Sequence, residues 1–284
     1  MRILITGAGG QVGCELVRVF GTGGHEVAGF DHITLDITDR DSVRAAVVEF
    51  HPEAIVHSAA WTAVDACEAD PERAFAVNGM GTRFLAEAAR LVGAQVHYIS
   101  TDYVFDGTKE GPYLEWDRTN PQSVYGASKL AGEHELHDGS SVIRTSWVCG
   151  FHGPNMVKTI LRLAAENDTL SFVSDQRGCP TFADDLAAMI GRIVTERRSG
   201  VFHVTNAGAV SWYEFAREVL LASGQDPDRV LPVATVDLQP PRPAPRPANS
   251  VLENAALKLS GVPALDDFRI PLRRLVAELA SEVR

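Results

Sequence analysis

Tyr125 and Lys129 stand four residues apart in Val124-Tyr-Gly-Ala-Ser-Lys129, downstream of a Thr101-Asp102 pair and of Gly7-Ala-Gly-Gly-Gln-Val-Gly13. On a helix, a four-residue step stacks two side chains on one face, about one turn apart. A cation beside a phenol favours the phenolate and lowers a pKa that is about 10 in water, which makes tyrosine a usable acid near neutral pH. The chemistry such a pair suits is carbonyl reduction.

A reductant needs its own site, and the N-terminus offers one. Arg2-Ile-Leu-Ile-Thr6 reads as a buried parallel strand, and Gln11 to Phe20 has helical apolar spacing at Val12, Leu16, Val19 and Phe20. Between them Gly7 permits a tight turn, Gly10 lets backbone approach a pyrophosphate, and Gly13 allows close helix packing, with the anion at the helix N-terminus. The spacing is G-x-x-G-x-x-G. Asp31 closes the next apolar run, Glu26 to Phe30, where a carboxylate can accept from a ribose diol and repel a 2′-phosphate, favouring NADH over NADPH. The same aspartate suits an N-cap or turn ahead of Ile33. Asp36, before Ile37, fits either a position near the adenine or a helix start.

These sites need a scaffold, and the chain alternates strand and helix to make one. Strands are expected at 54–57, 95–100, 141–145 and 200–204, and helices across 72–91, around Tyr125, and at 155–166 and 182–194. The succession predicts an α/β fold, a Rossmann-type doubly wound parallel sheet with a smaller C-terminal α+β substrate lobe. The dinucleotide-binding part is expected to span 1–147 plus about 182–207, and the substrate lobe about 148–181 plus 208–284. Gly7, Ala59, Ala60, Thr101 and Thr145 to Trp147 all follow strands, so they are expected to converge at the carboxyl ends of the sheet. Gln239 to Pro247 is proline-rich and must be a loop or strap. Its Arg242 or Arg246 fits either a diphosphate clamp or a solubilised spacer. A closing helix is expected over 272–283, with Leu275, Val276 and Leu279 on one stripe.

Composition narrows the class. With 284 residues, 45% of them hydrophobic, the chain can bury a large core. A net charge of −11 opposes binding to nucleic acid or to anionic lipid. No apolar run approaches the length of a membrane span, and no signal-peptide pattern opens the chain. Cys14, Cys67, Cys149 and Cys179 are widely spaced, as in a reduced cytoplasmic protein. His57, His97 and His203 fall in or beside strands and read as core histidines.

Gly7-x-x-Gly-x-x-Gly13, Ser100-Thr-Asp-Tyr-Val-Phe-Asp-Gly107, Val124-Tyr-Gly-x-Ser-Lys-x-x-Gly-Glu133, Arg144-Thr-Ser-Trp-Val148, Asp175-Gln-x-Gly-x-Pro-Thr181 and Arg246-Pro-x-Asn-Ser250 form a longer pattern. It resembles the dTDP-4-dehydrorhamnose reductases, a family of extended short-chain dehydrogenase/reductases, from residue 2 to about 280. The resemblance implies reduction by NADH or NADPH of the 4-keto group of a dTDP-linked 6-deoxysugar. It implies Tyr125 as proton donor, Lys129 on the nicotinamide ribose, and Thr101 as a donor to the keto oxygen. Asp102 and Trp147 would contact the sugar, and Arg246, if the strap clamps a diphosphate, would bind the substrate there. Gln11 and Val12 would lie against the pyrophosphate, and Ala59, Ala60 and Trp61 beside the cofactor, with Asn78 shaping the site.

Sibling reactions divide on single residues. Dehydratases of this superfamily have a glutamate where Tyr103 stands, so elimination lacks its base. A non-catalytic dinucleotide-binding subunit, like the regulatory subunit of methionine adenosyltransferase, shares the fold and is the alternative reading. Cys149 stands where tyrosine is common and Trp61 where histidine or tyrosine is common, which fits a related 4-keto-6-deoxyhexose. Some relatives form homodimers around magnesium held by three carboxylates, and Glu15, Asp184 and Glu278 occupy comparable positions.

Overall fold

The computed structural model describes residues 1–282. Five parallel strands, β1 (Arg2–Thr6), β2 (Glu26–Phe30), β3 (Ala54–His57), β4 (Gln95–Thr101) and β5 (Ser141–Thr145), join a sixth at Gly200–His203. The sheet order is Gly200–His203, β5, β4, β3, β1, β2, so the chain leaves β1 on one side and returns on the other. That reversal opens a crevice beyond the carboxyl ends of β1 and β3. Ser58 marks it, with its N–H (3.2 Å) and hydroxyl (2.6 Å) both donating to the Thr6 carbonyl.

Strand alternation loads both faces of the sheet. Ile3 and Ile5 pack with Leu16 and Phe20 of the helix Gln11–Thr22 and with Leu186, Ile190 and Ile193 of the helix Ala183–Thr195. Leu4 and Ile55 point the other way, to Val43 and Val47 of the helix Arg40–Phe50 and to Leu85 and Ala89 of the helix Gly81–Val92. Each such aliphatic side chain contributes roughly 1.5–3 kcal/mol by leaving water. A second, smaller core joins the helices Met156–Glu166, Trp212–Ala222 and Arg269–Glu282 around Val157, Phe215 and Leu272. A two-stranded parallel pair, Leu170–Val173 with Val230–Val233, borders it.

The structure departs from the sequence reading at several elements. The helix expected over 72–91 is three pieces, Pro71–Phe75, a π-helical turn at Ala76–Met80, and Gly81–Val92, and a separate short helix, Val64–Ala69, precedes it. Pro71 restarts the chain in its first helical turn, where its missing N–H is harmless, and Asp70 caps Arg73 N–H. The helix that Asp36 could have started begins later, at Arg40, and runs to Phe50. Asp39 caps it by accepting from the N–H groups of Asp41 and Ser42, while Asp36 serves only the turn before it. The closing helix starts earlier, at Arg269, and Val283 lies outside the described residues.

His57, His97 and His203 are core residues. His57 bonds Thr6 Oγ1 (2.7 Å) and Thr82 Oγ1 (3.1 Å), and burial pulls its pKa down to about 3. His97 and His203 are likewise buried, with pKa values pulled down to about 4 and about 3. All four cysteines are free. No helix among the described residues is long and apolar enough to cross a membrane.

Candidate active site

The glycine loop leaves β1 through Gly7, whose φ of +71° lies in the left-handed region. A Cβ there would sit 2.7 Å from the Ala59 nitrogen, so Ala59 backs the turn at the end of β3. Gly10 closes the turn by donating to the Gly7 carbonyl (2.9 Å) and then stands as the N-cap of the helix Gln11–Thr22. No side chain caps that helix, which leaves its first amides available to an anion. A Cβ on Gly13 would overlap the Gly7 carbonyl, so the first helical turn lies directly on the loop.

Tyr125 and Lys129 sit on the helix Val124–His134, capped by Ser123 on Gly126 N–H. Glu133, one turn past Lys129, anchors this helix to the sheet. Its carboxylate accepts from Ser100 Oγ (2.5 Å) at the end of β4 and from Arg144 Nε (3.0 Å) and Nη2 (2.7 Å) on β5. With both side chains nearly inaccessible, the pair is fixed in position. Asn78, in the π-helical turn, ties the same helix to the loop after β3. Its amide accepts from Trp61 N–H (2.8 Å) and donates to the Trp61 carbonyl (3.1 Å) and to Ser128 Oγ (3.0 Å). In the sequence, the only sign of this anchor is the four-residue spacing of Glu133 from Lys129.

Thr101 ends β4 and turns the chain, its hydroxyl accepting from Tyr103 N–H (3.2 Å) and donating to Asp102 Oδ1 (2.9 Å). Among the described residues, Asp102 Oδ2 is buried without a hydrogen-bond partner, and so is Thr145 Oγ1. Both residues line one crevice of about 450 Å³ together with Thr101, Tyr125, Lys129 and Trp147, and with Gly7, Gly10, Gln11, Val12 and Gly13. Ala60 and Tyr103 also face it. An uncapped glycine cradle, two orphaned oxygens and a buried ammonium fit a bound dinucleotide beside a polar substrate.

Charge in the crevice differs from the sequence expectation. Burial pushes the Tyr125 phenol well above its ordinary pKa, partly offset by the Thr101 hydroxyl, and no lowering by Lys129 acts on it. The reason is geometric. Lys129 Nζ donates to the Ile99 carbonyl (2.7 Å) and lies 4.0 Å from the centre of the Tyr98 ring. Burial also pulls Lys129 down to about 7, against an upward pull from Glu133. Asp102 is raised to about 6 by burial, and Tyr103 to about 12 for the same reason.

Other expected site residues lie outside that lining. Asp31 makes a turn: its Oδ1 accepts from Ile33 N–H (3.0 Å), Thr34 N–H (2.9 Å) and Thr34 Oγ1 (2.9 Å). Its Cβ and Oδ2 nonetheless face Gly9 of the glycine loop. Asp36 accepts from Thr38, and Ile37 is core, packed under Gly81. Trp61 lies under Arg73, whose guanidinium is 4.5 Å from its ring centre. Arg246 forks onto Asp65 at 2.6 and 2.8 Å, and this holds the Asp65 carboxyl below its usual range.

Glu15, Asp184 and Glu278 border one cleft, but as a metal set they do not fit. Arg274 holds Asp184 (2.6 Å) and Arg18 holds Glu15 (2.7 Å), so cationic side chains already take up the charge. No group of three potential metal ligands occurs among the described residues.

A doubly wound parallel sheet with a glycine cradle and a Tyr-x-x-x-Lys helix beside one crevice defines a short-chain dehydrogenase/reductase-like oxidoreductase fold. Within that class, residues 1–281 match the model of the RmlD substrate binding domain family, and the chain belongs to that family. It is 43% identical over 95% of its length to a dTDP-4-dehydrorhamnose reductase of Streptomyces griseus, covering 91% of that protein. It superimposes with a TM-score of 0.94 on the crystal structure of a dTDP-4-dehydrorhamnose reductase from Clostridium acetobutylicum, at 40% identity, covering 99% of this chain and 100% of that one. A dTDP-4-dehydrorhamnose reductase from Bacillus anthracis, crystallised in complex with NADP, gives a TM-score of 0.93 at 38% identity, covering 98% of this chain and 99% of that one.

Proposed function

We propose that this protein reduces the 4-keto group of a dTDP-linked 4-keto-6-deoxyhexose, dTDP-4-dehydro-L-rhamnose foremost, to the alcohol. The observation that carries this reading is the convergence of Thr101, Tyr125 and Lys129 in one crevice with an uncapped glycine cradle. Bound NADH or NADPH supplies the hydride. Tyr125, protonated at neutral pH because burial disfavours its anion, donates its proton to the keto oxygen. The Thr101 hydroxyl, which donates to Asp102 Oδ1, turns to donate to that oxygen as charge develops on it. Lys129 takes the cofactor ribose, while Asp102 and Trp147 meet the sugar.

The amides after Gly10, with Gln11 and Val12, hold the pyrophosphate, and Ala60 flanks the cofactor. Asp31 is kept ionised by Thr34 and Ile33 and faces the glycine loop, which supports its choice of NADH over a 2′-phosphorylated cofactor. Residues 1–147 with about 182–207 carry the dinucleotide, and about 148–181 with 208–284 cover the sugar. Arg246 is the candidate for the diphosphate once released from Asp65. We assign the reaction to the cytoplasm.

The test is a panel of nucleotide-linked 4-keto sugars assayed by NADH and NADPH absorbance, with products resolved by NMR. Turnover of a dTDP-4-keto-6-deoxyhexose to the 4-hydroxy sugar is expected. No oxidation of either cofactor with any member, together with a stable complex with another enzyme, would transfer the protein to the regulatory class.

A further inference from the structure

The crevice contains one indole whose posture depends on a residue outside it. Trp147 follows β5 with a φ of +48°, a left-handed backbone that a bulky side chain adopts only when its surroundings enforce it. Its ring lies flat on Trp212, with centroids 3.5 Å apart and planes 7° from parallel. Phe215 meets both rings edge-on, at 6.4 and 6.1 Å. At its nitrogen-bearing edge the indole abuts Gly178, where a Cβ would come within 2.6–2.8 Å of Nε1, Cε2 and Cζ2.

Gly178 and Trp212 are delivered by one ribbon. The short strands Arg177–Gly178 and Val210–Ser211 pair antiparallel, with Gly178 opposite Val210 and Arg177 opposite Ser211. Ser211 then starts the helix Trp212–Ala222 with a capping box, accepting from Glu214 N–H (3.1 Å) while its own N–H donates to Glu214 Oε2 (2.7 Å). Trp212 is the first residue of that helix, so its direction is set by the cap and the ribbon together.

The geometry points to Trp212 as a positioning residue for the sugar end of the substrate: it clamps Trp147 against Gly178 so that the indole stands beside Thr101 and Tyr125. This rests on the ketoreductase reading above, because Trp147 matters there only as a wall against which the hexose is held. Without the stack, the left-handed backbone at Trp147 has less to enforce it, and the indole becomes free to leave the crevice wall. Trp212 itself does not line the crevice that the dinucleotide cradle shares.

The experiment compares Trp212→Ala, Trp212→Phe and Gly178→Ala with the unaltered protein. Kinetics supply kcat and KM for the keto sugar, calorimetry supplies Kd for NADPH, dTDP and dTDP-glucose, and circular dichroism reads the exciton couplet of stacked tryptophans. Trp212→Ala is expected to raise the sugar KM about tenfold, the upper end of what an aromatic pair contributes. The Kd for dTDP-glucose should weaken in parallel, while those for NADPH and dTDP stay unchanged. Trp212→Phe should recover most of the loss, and Gly178→Ala should reproduce it. The couplet should vanish in Trp212→Ala and in Trp147→Phe. An unaltered KM in a folded Trp212→Ala, or losses of NADPH and sugar binding together that Phe does not rescue, would overturn the clamp. If the unaltered protein reduces no keto sugar, the parent reading fails, and the couplet with dTDP-glucose binding still judges the clamp.

Discussion

At the level of single residues, burial keeps the Tyr125 phenol protonated and raises the Asp102 carboxyl to about 6. Tyr125→Phe removes the proton donor without altering the glycine cradle, so kcat should fall by about two to four orders of magnitude while the NADPH Kd holds. Stopped-flow reduction and cofactor titration check this, and turnover equal to the unaltered enzyme would refute the donor role. Asp102 offers a test that needs no substrate. Its carboxyl ionises near 3.8 in an unfolded chain and near 6 in the fold, so folding takes up a proton between those values. Stability from this group therefore falls as pH rises through that window, and the full cost of a buried carboxylate, about 3 kcal/mol at about 1.4 kcal/mol per pKa unit, stands above pH about 6. Asp102→Asn cannot ionise. It should raise the melting temperature at pH 8, with a gain that fades from pH 6 to pH 4, and an equal gain at both ends would rule out ionisation as its origin.

Elements decide which of these residues the sequence alone reveals. The four-residue step of Tyr125 and Lys129 and the strand-glycine-helix order are local patterns, and local patterns survive in a string of letters. Their electrostatics did not, because Lys129 is claimed by the Ile99 carbonyl and the Tyr98 ring, neither of which its own helix discloses. Asp31 was legible as two options, and the turn it makes at Thr34 leaves its other oxygen toward Gly9. Asp39 and the Ser211–Glu214 box carry ordinary cap signatures that are local and therefore legible in sequence. The π-helical turn at Ala76–Met80 has no comparable signature, since it is set by tertiary packing. That turn presents Asn78, buried and bonded to both Trp61 backbone groups and to Ser128. Asn78→Ala would strand those partners, at about 1–3 kcal/mol for buried polar groups left unmade. Urea unfolding should register that loss together with a fall in kcat, because the loop after β3 and the Tyr125 helix lose their common tie. A variant of unchanged stability would show that water or another side chain satisfies the site.

For the whole molecule, Trp147, packed on the second core, lines the crevice, and the proline-rich strap after residue 238 reaches the helix Val64–Ala69, which packs beside Tyr125. It is tied there by Asp65, which accepts from both terminal nitrogens of Arg246 and from Ala244 N–H (3.1 Å). Asp65 lies on the helix Val64–Ala69, whose first residue lines the crevice, so the tie sits at its mouth. A carboxylate gripping a guanidinium fork presents it with the same two-oxygen geometry that a diphosphate offers. The contact therefore competes with an anionic substrate for Arg246. Asp65→Asn keeps the shape but gives up the charge, and it should lower KM for the dTDP-linked sugar several-fold while making the strap more sensitive to protease without ligand. Arg246→Ala should raise KM, and in its background Asp65→Asn should have no further effect on KM. Should Asp65→Asn raise KM by itself, the pair is a structural tie whose closure the substrate needs, and Arg246 has no part in binding the diphosphate.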